Sequence, residues 1–315
     1  MVVLGGSFAG VQLAKRLIET LPTGYRVILI EKNSHFNYLF NFPRYSVLQG
    51  HEQKAFVPYG GMAQGAPKGI FELVHDLATG IGDGVVELKS GARVEFEYLA
   101  IATGTRQNPP AQVRGTEKSD GCAELKDMQK KIEDIKSIAI VGGGPVGVQL
   151  AGDIKTFYED KRVVLVHSRE QLLPNFGKGL HDYVVDKMLK MDVDVRLGER
   201  PKLMNDAGPM RLEFKDGGSE EFHLVVCPSK NLRIRFVNLS RRSLVQDKSP
   251  THPLLASLHL KQSHRRPEEF SSKQLCRSYS AIIPPSKDRI YSLSETLQKL
   301  EVPKWHGREW CRQIS

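Results

Sequence analysis

Close pairs of cysteine are missing from this 315-residue chain: Cys122, Cys227, Cys276 and Cys311 stand far apart, and no Cys-x-x-Cys spacing occurs. That argues against a dithiol relay. Metal-ligand spacing is also missing and the histidines do not cluster, so no metal centre is expected. Serine, histidine and acid form no recognisable hydrolase motif. No run of 18 or more apolar residues occurs, so nothing is expected to span a membrane. Met1 falls directly in an apolar run, which leaves no n-region or h-region of a leader. The expectation is a cytosolic protein as written, or a start lying upstream, since four residues is short for a central strand.

Glycine is nearly missing from the end of the chain. Residues 228–315 hold one glycine of 28, Gly307, but both tryptophans and 14 serines, against 8 serines in residues 1–227. Lysine and arginine outnumber acids 17 to 7 there, while residues 1–227 carry a balance of −1. The whole basic excess behind the net charge of +9 and the pI near 9.3 therefore lies in this tail. Clustered cations suit phosphate polymers and acidic membranes. Here the aromatics are not interleaved with the basic residues, and Arg241-Arg242 and Arg265-Arg266 share no clear helical face. A nucleic-acid partner is not expected. The serine, proline and basic content suits a weakly ordered extension. The abrupt change also fits a segment foreign to the rest: a retained intron, an alternative exon or a shifted reading frame.

What is present is a motif that occurs twice. Ile138 to Val141 is a short apolar run, followed by Gly142, Gly144 and Gly147 at G-x-G-x-x-G spacing and by a helical segment over 148–157. Strand, glycine turn and helix in that order are the signature of a dinucleotide site. Gly142 permits the sharp turn, Gly144 lets the backbone approach a pyrophosphate, and Gly147 lets helix pack on strand. The anion would sit at the positive end of the helix.

At the N-terminus Met1 to Leu4, the turn Gly5-Gly6-Ser7-Phe8-Ala9-Gly10, a helical pattern over 11–21 and a strand over 26–30 repeat the plan. Ser7 replaces the middle glycine. Glu31 lies 21 residues after Gly10, where an acid would hydrogen-bond an adenine dinucleotide's ribose. In the second unit the strand over 163–166 ends at His167, 20 residues after Gly147, with Ser168 and Arg169 following. The acid is missing. A nearby arginine accommodates a ribose 2′-phosphate, so NADPH as well as NADH is expected there; Arg169 as a solvated cation is the other reading.

Between the fingerprints, Tyr98 to Thr105 reads as a strand ending in an Ala-Thr-Gly turn. With this order the chain resembles the two-dinucleotide-fold flavoprotein oxidoreductases. Within them it is similar to the apoptosis-inducing-factor-like proteins of the mitochondrion-associated, ferroptosis-suppressor type, related to type II NADH dehydrogenases. The runs His35-Phe36-Asn37-Tyr38, Phe42 to Val47 and Lys54 to Tyr59 resemble that subgroup, and the likeness covers about residues 1–227.

The resemblance implies an α/β protein with two Rossmann-like folds, the second inserted in the first, binding FAD and NAD(P)H. Residues 1–110 would be the first part of the FAD fold, 111–227 the NAD(P)H fold and 228–315 an atypical tail. Gly5, Gly6, Ser7, Gly10 and Glu31 would hold FAD. Arg44 matches a family arginine near the flavin, Val74 lies on a strand whose backbone would approach adenine, and Thr103 and Gly104 belong to a turn that passes the cofactor. Arg44 also reads as a surface charge, Val74 as core and the Ala-Thr-Gly turn as structural.

Hydride would pass from nicotinamide to flavin and on to a small acceptor, a quinone by family, with orientation and electrostatics supplied by the protein. No catalytic acid or base is identifiable. Peripheral contact with mitochondria or other membrane surfaces belongs to the family. Gln149 and Asp153 stand where relatives often carry glutamates. The family's later Gly-Asp turn is not found after residue 227, so the C-terminal completion of the FAD fold is read as missing, leaving an open sheet edge. The alternative function is a truncated, non-catalytic NAD(P)-binding or regulatory protein.

Between these motifs, residues 70–77, 85–89 and 93–96 read as a β-meander, 120–136 and 180–191 as helices, and Asp216-Gly217-Gly218 as a hairpin turn.

Overall fold

The computed structural model describes residues 1–204 and 210–228, and the backbone of three short strands, Leu232–Arg233, Ala281–Ile283 and Tyr291–Ser292. The readings of the basic tail otherwise lie outside the described residues. The chain forms two compact units. The first holds Met1–Lys32 and Met62–Gly104; the second holds Thr105–Ile234 and also Asn33–Gly61, a segment that follows the first βαβ unit in sequence.

The first unit begins with β1 (Val2–Leu4), α1 (Phe8–Thr20) and β2 (Val27–Glu31). Strands β3 (Phe71–His75) and β4 (Leu99–Ile101) join them in the parallel order β3-β2-β1-β4. Every residue of β1 and β2 is buried. That is why they read as unbroken apolar runs: parallel strands are covered on both faces.

The run over 70–77, expected as a meander strand, belongs instead to the parallel sheet and ends early, at His75. It forms β3, and the antiparallel meander opens beyond it with Ala78–Gly82, followed by Val85–Leu88 and Arg93–Glu95. The break falls at Asp76, whose carboxylate accepts the Leu77 N–H at 2.7 Å and the Ser90 N–H at 3.3 Å. Such a local side-chain bond competes with the ladder and ends the strand. Ile81, Val86 and Leu88 of the meander pack with Val2, Leu4, Ile28, Ile30 and Leu99. Where the sequence predicts an open edge, Ala281–Ile283 pairs antiparallel with β4 and Tyr291–Ser292 pairs beyond it.

In the second unit α2 (Lys118–Glu133) leads to β5 (Ser137–Val141), α3 (Pro145–Phe157) and β6 (Arg162–Val166). Then come α4 (Lys178–Lys190), β7 (Val193–Arg196) and β8 (Leu224–Val226). The sheet runs β7-β6-β5-β8, all parallel.

Alternation along the strands sorts the core into two faces. Ile138, Ile140, Val163 and Leu165 pack with Ile132, Leu150, Ala151, Ile154 and Met188 of the helices. Ala139, Val164 and Val166 pack with Leu212 and Phe222 of an antiparallel sheet formed by Lys202–Met204, Met210–Glu213 and Ser219–Phe222.

Two buried lysines finish the helices here. Lys161 Nζ donates to the carbonyls of Glu133 at 2.8 Å and Ile135 at 2.6 Å, and lies 4.8 Å from the Tyr158 ring centroid. Lys155 Nζ donates to the carbonyls of Glu159 and Lys161. Orphan carbonyls at the end of α2 thus meet a cation, as the helix dipole favours. This capping agrees with α2 ending at Glu133, short of the expected 136.

Candidate functional site

Both glycine turns have the same construction. The N–H of the first glycine bonds back to the second strand of its unit: Gly5 to the Ile30 carbonyl and Gly142 to the Val166 carbonyl, both at 2.8 Å. Gly5 has φ +103° and Gly142 φ +140°, backbone that side chains with a Cβ seldom adopt. A Cβ on Gly10 would run into the Gly5 carbonyl oxygen, and one on Gly147 into the Gly142 carbonyl oxygen. The last glycine of each fingerprint is therefore required by helix-to-turn contact.

The middle position is different. Ser7 and Gly144 are the N-caps of α1 and α3, and both have extended backbone, φ −91° and −82°. Any residue can adopt it, and a Cβ on Gly144 would meet nothing within 4 Å. The turn therefore tolerates a serine at this place, which accounts for the departure at Ser7. Open space here is also what approach by a phosphate needs. The helices start within the fingerprints rather than after them, at Phe8 and Pro145.

The residue after the first glycine carries a further link; Gly6 was expected at the FAD site, whereas its counterpart Gly143 was not singled out. Gly6 donates its N–H to Glu31 Oε2, and Gly143 donates its N–H to His167 Nδ1 at 3.1 Å. Glu31 is 6% exposed. The repeated glycine at this position, Gly6 and Gly143, was the available signal.

His167 stands at the end of β6, its N–H bonded to the Arg196 carbonyl at 2.8 Å and its carbonyl to the Glu199 N–H at 2.9 Å. Burial first, and then the Arg169 charge, hold its ring below the ordinary histidine value. Arg169 itself is exposed.

In the first unit the structure thus brings together Gly5, Gly6, Ser7, Gly10 and Glu31. Thr103 joins them, since its backbone N lies 3.0 Å from where a Gly5 Cβ would be. Val74 is on β3, in register with Ile30 beside Glu31. Gly104 has φ +66° and closes the Ala-Thr-Gly turn. The second unit gathers Gly142, Gly144, Gly147 and His167, with Arg169 two residues beyond.

Arg44 lies in the second unit. Its Nη2 and Nε donate to Asp153 Oδ1 on α3, at 2.9 and 3.1 Å. This bond, foremost, raises the arginine pKa further. Asp153 is 5% exposed, and its Oδ2 has no hydrogen-bond partner among the described residues. Gln149, one turn earlier on α3, donates to the Phe40 carbonyl at 3.4 Å.

Comparison with known proteins agrees with this construction. Fe-regulated protein 8 of Mycosarcoma maydis is 35% identical over 224 residues, covering 64% of this chain and 56% of that protein. Ferroptosis suppressor protein 1 of Xenopus tropicalis is 28% identical over 199 residues, covering 61% and 51%. The chain spans about half the length of the curated relatives it matches. Among solved structures, a ferredoxin reductase from Rhodopseudomonas palustris superposes with a TM-score of 0.56 at 17% identity, over 73% of this chain and 58% of that one. That likeness supports the two-unit α/β fold. The family model for pyridine nucleotide-disulphide oxidoreductases matches residues 1–228, both glycine turns included, and the chain belongs to that family.

Proposed function

We propose that this chain is an FAD-dependent NAD(P)H oxidoreductase that passes reducing equivalents to a small acceptor, a quinone. The observation that carries the proposal is the doubled turn, with Glu31 bonded to Gly6 in one unit and His167 to Gly143 in the other. The residues fit the groups. On this reading buried Glu31 would meet an adenosine ribose, the open space at Gly144 would admit a pyrophosphate, and the last glycines would let each helix N-terminus face it.

Gly5, Gly6, Ser7, Gly10 and Glu31, with Thr103, Gly104 and the backbone at Val74, would hold FAD. Gly142, Gly144, Gly147, His167 and Arg169 would hold the nicotinamide coenzyme. Bound flavin supplies an acceptor for hydride from reduced nicotinamide; the chain supplies binding and orientation. Arg44 would act through Asp153 and α3.

What supports a quinone as the acceptor is the likeness to a ferroptosis suppressor protein, with the lack of a Cys-x-x-Cys dithiol beside it. Contact with a mitochondrial or other membrane surface belongs to the same proposal. No helix among the described residues is long and apolar enough to cross a membrane.

The test is the visible spectrum of the purified full-length chain, with its protein-to-flavin ratio. Near-stoichiometric FAD that bleaches on adding NADH or NADPH, and recovers its colour with a short-chain quinone, is expected. Colourless protein that still binds NAD(P)H would overturn the enzymatic reading in favour of a non-catalytic nucleotide-binding protein.

A further inference from the structure

The side of β4 that faces away from β1 is where the first sheet meets the tail, and strand polarity decides which groups lie there. Ala102, one residue past β4, donates its N–H to the Leu4 carbonyl at 2.7 Å. Tyr98, one residue before it, accepts the Val2 N–H at 2.8 Å. Along a strand the backbone groups point alternately to one neighbour and to the other. Residues 98, 100 and 102 thus turn their N–H and C=O to β1, and Leu99 and Ile101 turn theirs the other way. Leu99 is fully buried. Buried backbone groups are nearly always paired.

Ala281–Ile283 meets this requirement. It runs antiparallel to β4, with Ala281 opposite Ile101 and Ile283 opposite Leu99. Those are the two outward-facing residues, so both fall in pairs that exchange N–H and C=O. Ile282 stands opposite Ala100 and turns its N–H to the strand beyond, Tyr291–Ser292.

The fit has a defined end. Ala281–Ile283 and β4 are each three residues long. Pro284 and Pro285 follow in sequence, and neither has an N–H to extend the ladder. Beyond, the sheet finishes in a strand of two residues. Short edge strands discourage edge-to-edge association, which a bare apolar β4 would invite.

The strand held in this way also carries the Ala-Thr-Gly turn. Ala102 follows it directly, and its carbonyl oxygen crowds Gly5 so closely that a Cβ there would not fit.

We propose that the tail supplies an edge strap for the first sheet: Ala281–Ile283 docks on β4, backed by Tyr291–Ser292, where the sequence predicts an open edge. The occupant of that edge is this chain's own segment and not a second copy. The segment belongs to the first unit, and at these residues the tail is part of the fold rather than a dispensable extension. The inference does not depend on which nucleotide the unit binds.

The test is amide hydrogen exchange on the full-length chain, read at single residues by NMR, with light scattering to follow the oligomeric state. In the unaltered chain Leu99 and Ile101 are expected to exchange at least about a hundredfold more slowly than unstructured peptide. Dilution by about tenfold should leave that protection unchanged. Ile283→Pro removes the donor that faces Leu99 and is expected to speed exchange at Leu99 and Ile101 by about tenfold or more. Ala100, bonded toward β1, should keep its protection. Ser271→Pro, outside both strands, should change none of the three.

Exchange at Leu99 and Ile101 as fast as in unstructured peptide would overturn the proposal. So would protection that falls on dilution as a dimer separates, which would give the edge to a second copy. Neither result needs a variant to fold. Unchanged protection at both residues in folded Ile283→Pro would overturn it as well.

Discussion

Arg44 and Asp153 stand 109 residues apart in sequence and form an ion pair of 2.9 Å, the carboxylate buried and the guanidinium half exposed. The pair fastens the Asn33–Gly61 segment to α3 within the second unit. Removing one partner of a buried pair leaves an uncompensated charge, a loss of roughly 3–5 kcal/mol when both partners are dry. Solvent around Arg44 reduces that figure. Arg44→Met is therefore expected to destabilise by about 2 kcal/mol in urea unfolding. Adding Asp153→Leu should recover most of it. A double variant as unstable as the single one would show that the pair is not what fastens the segment.

The turn predicts a graded series at the second fingerprint. Gly144→Ser reproduces the arrangement at Ser7 and should fold and bind NAD(P)H. Gly144→Leu fills the open space and should weaken NAD(P)H by about tenfold or more without large change in melting temperature. Gly147→Ala drives a methyl into the Gly142 carbonyl and should lower stability itself, by about 3 kcal/mol. Undiminished coenzyme affinity in Gly144→Leu would remove the second site.

Lys161 donates to the carbonyls of Glu133, the last residue of α2, and of Ile135 just beyond it, with its ammonium over the Tyr158 ring. Lys161→Met keeps the stem and deletes the donor. The part-buried carbonyls then lose this partner, at a cost of about 1 kcal/mol. Chemical denaturation measures this directly, and a variant within about 0.5 kcal/mol of the original would mean that water replaces the lysine.

His167 also predicts an acid limb. Its folded value lies below the ordinary 6.5. Above pH 6.5 the ring is neutral in folded and unfolded chain alike, and its contribution to stability is fully present. As pH falls below 6.5, the unfolded chain takes a proton that the folded chain resists, and stability is lost until the folded ring itself titrates. The melting temperature should therefore fall from pH 6.5 downward, and His167→Gln should flatten part of that slope. An identical slope in the variant would exclude His167 as its source.

Much of the molecule was legible in the chain because its signals are local. The unbroken apolar runs at Val27–Glu31 and Ser137–Val141, and the glycine spacing after Leu4 and Val141, depend on neighbours within one turn. The middle glycine could not be ranked from spacing, since only the packed turn shows that residue 144 faces open space while residue 147 meets a carbonyl. Arg44 with Asp153 and Lys161 with Glu133 and Ile135 were not legible. Each joins segments distant in sequence, and nothing in a lysine or arginine codon position says which carbonyl or carboxylate it will reach. The early end of the strand within residues 70–77 turned on Asp76, whose side chain binds the Leu77 N–H in a way that an alternation pattern cannot weigh.

Pro145 opens α3, whereas Phe8 opens α1. Proline has no backbone N–H, so on the function proposed above the first residue of α3 could not donate one to a diphosphate. A hydrogen bond to a charged acceptor contributes about 1.5–3 kcal/mol, or roughly tenfold to a hundredfold in equilibrium occupancy. On the function proposed above, the asymmetry matches the division of labour between a prosthetic group and a cosubstrate: one nucleotide stays with the polypeptide through many turnovers, and the other must leave after each.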